Sequence, residues 1–297
     1  MFILVEVVFP VFAIFFAGFV LRKKFGLQID SLSQTAFYLL LPCLVFRTLY
    51  EVDIKGDLKN IIIFQFFLML FLAALVLLIG KLRKQTAQMT NGLLLSTIFM
   101  NAGNYGGPFI LFALGEVAFQ LAIAYWVIQT ILMNTLGVFI ANKQGTTLKA
   151  TLIVTLKMPI VYAAILGIGL QLLELTIPMF LFQPVDMLAT ATIPIIMLLL
   201  GMQLANVTFT KAWSVINYGI ILRLVISPVL AFLIVQFIMN VDGLLSNVLI
   251  LQAAMPSAVV MTLIATKYYC EPEAVSGITL ITTIVSMITL PLILFLL

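Results

Sequence analysis

Two stretches of the sequence set polar and helix-breaking residues inside long apolar runs. The first reads Ser96-Thr97-Ile98-Phe99-Met100-Asn101-Ala102-Gly103-Asn104-Tyr105-Gly106-Gly107-Pro108, and the second Gln252-Ala253-Ala254-Met255-Pro256-Ser257-Ala258-Val259-Val260-Met261-Thr262. Proline removes a backbone donor and clashes with the preceding turn. Glycine lowers the cost of leaving α geometry. Such segments are expected to unwind. Freed N–H groups and the positive end of a half-helix suit an anion, and freed carbonyls suit a cation. Asn101 and Asn104 each add a donor or an acceptor, and Gln252, Ser257 and Thr262 add uncharged polar groups. The candidate binding residues are therefore Asn101, Asn104, Tyr105, Gly106, Gly107 and Pro108 in the first stretch, and Gln252, Pro256, Ser257 and Thr262 in the second. A plainer reading makes Gly103 and Gly107 a helix-packing pair and Pro256 a kink. Two breaks at corresponding places in the two halves of the chain favour a site.

Arg223 joins the candidates. It lies about ten residues, or about 15 Å of helix, into its apolar run. A cation at that depth needs a partner or a cavity. It either supplies positive potential to an anionic solute or ties down carbonyls freed by the broken helices. Lys157 and Arg47 lie nearer the ends of their runs and are expected to snorkel. Glu6 and Asp186 fall near the outer surface. Basic residues outnumber acids at depth, which favours an anion as cargo. No catalytic set is present. The chain has no histidine, which removes imidazole relays and Ser-His-Asp triads. Two cysteines alone cannot build a thiolate zinc site. No metal or cofactor is expected, and coupling to protons or sodium stays open.

The elements that must position these residues are membrane helices. Of 297 residues, 64% are hydrophobic and 9% charged, and the mean hydropathy is +1.25. Soluble domains carry about 25% charged residues. The apolar runs separate at charges and turn residues into spans near 2–21, 32–50, 59–80, 91–113, 117–141, 151–172, 180–204, 213–239, 244–267 and 273–297. Each can cross about 30 Å of hydrocarbon as a helix. The first run is followed, not preceded, by Arg22-Lys23-Lys24, the reverse of a signal peptide. Lys81, Arg83, Lys84, Lys143, Lys149, Lys211 and Lys267 follow the other odd spans, whereas Lys55 and Lys59 follow an even one. The positive-inside rule then puts both termini outside the cell membrane. Gly115-Glu116-Val117-Ala118 and Pro272-Glu273-Ala274-Val275 form a weak repeat about half a chain apart. Five spans per half would make residues 1–145 and 146–297 inverted repeats.

The residues also resemble a known family. Ala265-Thr266-Lys267-Tyr268-Tyr269-Cys270-Glu271-Pro272-Glu273, followed by a polar-dotted run ending Thr289-Leu290-Pro291-Leu292, resembles the end of auxin efflux carrier family proteins. Asn101 and Pro108 with Gly106-Gly107 between them resemble the break in that family's fourth helix. Ala254-Met255-Pro256 resembles the break in its ninth. Leu199-Leu200-Gly201-Met202-Gln203-Leu204 resembles its seventh helix, and Arg223-Leu224 with Pro228 its eighth. The chain lacks the long central loop of plant members and looks like a prokaryotic organic-acid carrier of the wider bile, arsenite and riboflavin transporter superfamily. Two positions depart from the pattern. Met261 stands where a second crossing proline is expected, and Lys157-Met158 where an asparagine is expected before Pro159. The resemblance implies ten spans in two inverted repeats with spans four and nine crossing. It implies a scaffold of spans 1, 2, 6 and 7, a transport domain of spans 3–5 and 8–10, and a homodimer through spans 2 and 7.

The expectation is an all-α integral membrane protein with ten transmembrane helices. It would carry a small organic anion, a carboxylate such as malonate or malate or an auxin-like weak acid, by elevator-type alternating access. Its partners are the solute, the lipid bilayer and a second copy, with no nucleic acid. Rival readings are a sodium-coupled symporter of the bile-acid type, a receptor with a carrier-like core, and an intramembrane enzyme. A phosphatase reporter fused after Leu297 should be active on the outer side of the membrane; activity of a cytoplasmic reporter at that position would overturn the charge-based topology.

Overall fold

A computed structural model of the chain describes residues 4–51, 55–142, 145–206 and 213–297. Lys143, Lys211 and the start of the first expected span lie outside the described residues. Among the described residues every regular element is a helix. In chain order these are α1 (Phe9–Phe25), α2 (Ile29–Glu51), α3 (Gly56–Leu82), α4 (Ala87–Ile98), α5 (Gly107–Leu114) and α6 (Glu116–Ala141). There follow α7 (Leu148–Leu156), α8 (Pro159–Leu172), α9 (Met179–Leu204) and α10 (Val215–Met239). The last are α11 (Gly243–Ala254), α12 (Val259–Tyr268) and α13 (Pro272–Leu296).

Six of these, α2, α3, α6, α9, α10 and α13, are long and apolar enough to cross a membrane. The polarity of the molecule is inside out. Phe66, Phe180 and Phe237 face outward, while Gln65, Thr192, Arg223 and Ser286 are buried. A water-soluble domain sorts these residue types the other way. Apolar solvent explains both facts, and it explains why helices are used throughout, since they satisfy their own backbone.

The sixth expected span is not one helix. It breaks at Lys157-Met158, and α7 and α8 meet at a 65° bend. Pro159 opens α8, and Met158 before it is extended at φ −72°, ψ 137°. Proline excludes helical geometry from the residue that precedes it. The fourth-span break also lies upstream of the glycines. α4 ends at Ile98 with Phe99 extended, and helical winding resumes as a wide turn at Ala102–Gly106. Pro108 is the second residue of α5 and follows directly on that wide turn, so it lies beyond the break rather than in it.

Two compact units share the chain. The first comprises Met1–Leu58, Gly103–Ile131 and Leu152–Asn206; the second comprises Lys59–Ala102, Leu132–Thr151 and Val207–Leu297. Neither unit coincides with one half of the sequence. In the first unit, α1 and α9 touch backbone to backbone. A Cβ on Gly18 would lie 2.1 Å from the Leu198 carbonyl oxygen, and one on Gly201 would lie 1.9 Å from that of Phe15. Arg47 in the same unit does not snorkel. Its guanidinium meets Asp186 at 2.9 Å, Glu116 at 3.7 Å and Glu51 at 4.0 Å, and it donates to Thr190. One carboxylate of its own helix and two from α6 and α9 take the place of water. In the second unit, Val76, Leu93, Val215, Ile216 and Ile278 build the core that joins α3, α4, α10 and α13.

Gly201→Ala should lower stability by about 1–3 kcal/mol through overpacking, read as an earlier thermal unfolding in detergent. Gly169 of α8 has no atom within 4 Å of a would-be Cβ, so Gly169→Ala should raise stability by up to about 1 kcal/mol.

Candidate functional site

Unwinding a helix in an apolar interior strands backbone donors and acceptors, and each must find a new partner. In the second unit the two broken segments satisfy one another. Met100 and Ser257 form an isolated antiparallel bridge. The Asn101 amide donates to the Pro256 carbonyl at 2.8 Å, and the Ala258 amide donates to the Phe99 carbonyl at 3.1 Å. Pro256 lies within the extended link between α11 and α12, so its missing N–H is not needed there.

The two breaks take a donor away from each helix. In a continuous helix the Asn101 amide would serve the Thr97 carbonyl, and the Ser257 amide would serve the Ala253 carbonyl. Arg223 replaces both. Its guanidinium donates to the Thr97 carbonyl and to the Ala253 carbonyl. It also donates to the Ser227 hydroxyl at 2.6 Å, which in turn donates to the Ala253 carbonyl at 2.7 Å. Arg223 is 0% exposed and sits in a wide turn of α10, Leu222–Ile226. α4 and α11 both end at the crossing, so two negative helix ends converge there. One permanent cation neutralises them. Of the two roles expected for Arg223, tying down freed carbonyls is the one its contacts display.

Around the bridge the other side chains are almost all buried. The Gln252 amide donates to the Ala102 carbonyl at 3.3 Å. The Asn101 side-chain nitrogen is buried and has no hydrogen-bond partner. The Ser257 amide donates to the Thr282 hydroxyl at 3.2 Å, and the Thr279 and Ser257 hydroxyls face each other at 3.4 Å. Thr262 lies about one turn into α12, and its hydroxyl is likewise buried without a partner. At the start of α12 the amides of Val259 and Val260 have no carbonyl of their own helix behind them.

The second unit thus brings together Asn101, Arg223, Gln252, Pro256 and Ser257, with Thr262 close along the chain. Asn104, Tyr105, Gly106, Gly107 and Pro108 belong to the first unit. There the Tyr105 ring is enclosed edge-on by Phe12, Phe15 and Phe109 at centroid distances of 5.7, 5.3 and 6.2 Å. Gly103 lies under the Trp126 indole, where a Cβ would come within 2.4 Å of the ring. Sequence reading missed Ser227, Thr279, Thr282 and Trp126. Ser276, Thr279, Thr282, Thr283 and Ser286 recur at helical spacing in a largely apolar span, and that stripe was the available signal. Among the described residues no group of three or more His, Cys, Asp or Glu side chains could hold a metal ion.

The model of a family described as membrane transport protein matches residues 3–154 and 146–294 of the chain. An uncharacterized transporter of Methanocaldococcus jannaschii is 27% identical over 301 residues, covering 97% of this chain and 96% of the relative. One from Methanothermobacter thermautotrophicus is 27% identical over 295 residues, again covering 97% and 96%. A Rhizobium meliloti protein named "Putative malonate transporter" is 24% identical over 301 residues, covering 97% of this chain and 94% of the relative.

The Arg223 clamp can be measured without any solute. Ser227→Ala should lower stability by about 1 kcal/mol, the net worth of one hydrogen bond. Arg223→Met strands the buried Thr97 carbonyl and should lower it by a further 1–3 kcal/mol or about that. Arg223→Lys should recover part of the loss. Unfolding of Arg223→Met at the wild-type temperature would show that the clamp holds nothing.

Proposed function

We propose that this chain, which belongs to the membrane transport protein family, is a secondary carrier that moves a small organic anion past the bridge between its two broken helices. The chain is a multi-pass membrane transporter by its family and its apolar helices. The observation that carries the finer reading is the antiparallel contact of Met100 with Ser257. Irregular backbone inside apolar solvent is tolerated where it lines a cavity or a binding site. Here it is supported by residues from α10 and α13 and left with an unpartnered donor on Asn101.

The donor balance favours an anion. The negative ends of α4 and α11 are neutralised by Arg223, so they do not make a cation trap. What faces an incoming solute is the Asn101 side-chain N–H, the Ser257 hydroxyl and the first amides of α12. Arg223 contributes by cancelling the field of those two helix ends rather than by touching the solute. Arg47 does not add to this bias, because carboxylates surround it. A carboxylate of the malonate or malate kind suits this donor set, and the name of the Rhizobium relative points the same way.

The reading includes ten crossings, with each interrupted pair counted as one, and two inverted five-helix repeats. It includes a scaffold of α1, α2, α8 and α9, and a transport domain that carries the site by an elevator step between states within a few kcal/mol of each other. It also includes a homodimer through α2 and α9, and a cell-membrane location with both termini outside. Within the first unit, which also holds Gly103–Ile131, α1 packs on α9 through Gly18 and Gly201, a contact suited to a scaffold.

Purified protein in proteoliposomes should take up labelled malonate with and without sodium. Asn101→Ala should lower uptake kcat/KM about 10- to 100-fold, as expected for losing a hydrogen bond to a charged group. Uptake at the wild-type rate would move the site elsewhere. Strict sodium dependence would favour the bile-acid type of symporter instead.

A further inference from the structure

At the crossing the Ser257 amide is paired with a side chain rather than with backbone. Asn101 and Ala258 donate to carbonyls of the opposite segment, but the Ser257 amide does not. It points to α13, where the Thr282 hydroxyl oxygen accepts it at 3.2 Å. Thr282 is 0% exposed and donates its own proton to the Ile278 carbonyl at 2.6 Å. A hydroxyl has one proton and two lone pairs. With the proton held by Ile278, the oxygen presents a fixed lone pair to Ser257. The Ser257 side chain has a second contact on the same helix. Its hydroxyl faces that of Thr279 at 3.4 Å, and Thr279 also reaches the Val275 carbonyl at 2.9 Å.

We infer that Thr282 is the positioning residue of the crossing, with Thr279 beside it. Thr282 fixes the backbone of Ser257, and Thr279 limits where the Ser257 hydroxyl points. The inference rests on Ser257 as a solute-contacting residue, and it adds how α13 controls that residue from behind. Helix geometry explains why two threonines suffice. Thr279 and Thr282 are three residues apart on one face of α13, so they meet the side chain and the amide of a single residue together. Valine has the same shape as threonine without the hydroxyl. Replacing Thr282 by valine therefore removes the acceptor and leaves the packing in place. Thr283 supplies the internal control, because its hydroxyl bonds the Thr279 carbonyl of its own helix.

The test compares Thr282→Val, Thr282→Ser and Thr283→Val in the full-length protein. Amide hydrogen exchange, resolved to single residues, is measured in detergent without solute. Thr282→Val should speed exchange at Ser257 at least tenfold while Ala258, held by the Phe99 carbonyl, exchanges as in wild type. Thr282→Ser should restore the slow rate, and Thr283→Val should leave it unchanged. In proteoliposomes Thr282→Val should raise the KM for malonate several-fold with a smaller change in kcat. Thr282→Ser should again restore it. Unchanged Ser257 exchange in Thr282→Val, or equal loss in Thr283→Val, overturns the role of Thr282. Absence of malonate uptake by the wild-type protein counts against the proposed function, and the exchange arm still decides the positioning role.

Discussion

A peptide group that leaves a helix in an apolar medium must be paired again, and this requirement organises the second unit. Phe99–Asn101 and Met255–Ala258 are the places where α geometry fails. Their amides and carbonyls find each other across an antiparallel bridge. The bridge then creates a second deficit, because the Thr97 and Ala253 carbonyls lose the donors they would have had four residues on. A buried guanidinium makes up that deficit on both helices at once. The last displaced donor, on Ser257, goes to Thr282. Each step follows from the one before by the same accounting of donors and acceptors.

Electrostatics enter through the same atoms. Two helix ends of negative sign meet at the crossing, and left alone they would select a cation. Arg223 satisfies those ends by hydrogen bonds and cancels their field. A deep arginine in a membrane protein is expensive unless it is partnered. Here the partners are carbonyls that the fold itself has orphaned, so the cation and the broken helices stabilise each other. Arg47 shows the other solution to the same problem. It is flanked by carboxylates from three elements and is locally neutral or negative rather than a source of positive potential.

Close packing is the main device of the first unit. Gly18 and Gly201 let α1 and α9 approach to backbone contact, an interaction suited to a solvent in which apolar side chains gain little by clustering. In the first unit Gly103 does the same for the Trp126 indole. The wide turn around Leu222–Ile226 places Arg223 and Ser227 together on the side of α10 that meets the broken helices.

The sequence by itself determined the solvent, the element type and the neighbourhood of the breaks. Hydropathy and the scarcity of charge require membrane helices, because no other local structure satisfies its own backbone in hydrocarbon. Asn101 with its glycines and Pro256 with Ser257 marked both interrupted segments, because proline and glycine act locally. Tertiary structure decided the rest. Pro108 and its neighbouring glycines suggested a break, and the fold places it upstream at Phe99–Asn101, where the chain pairs with the other interrupted segment. Arg47 looked solvent-seeking until Asp186, Glu116 and Glu51 came together around it. Arg223 had two readings in the sequence, and its carbonyl partners 126 and 30 residues away selected between them. Those partners are backbone atoms, which carry no residue signature, so no pattern along the chain could have named them.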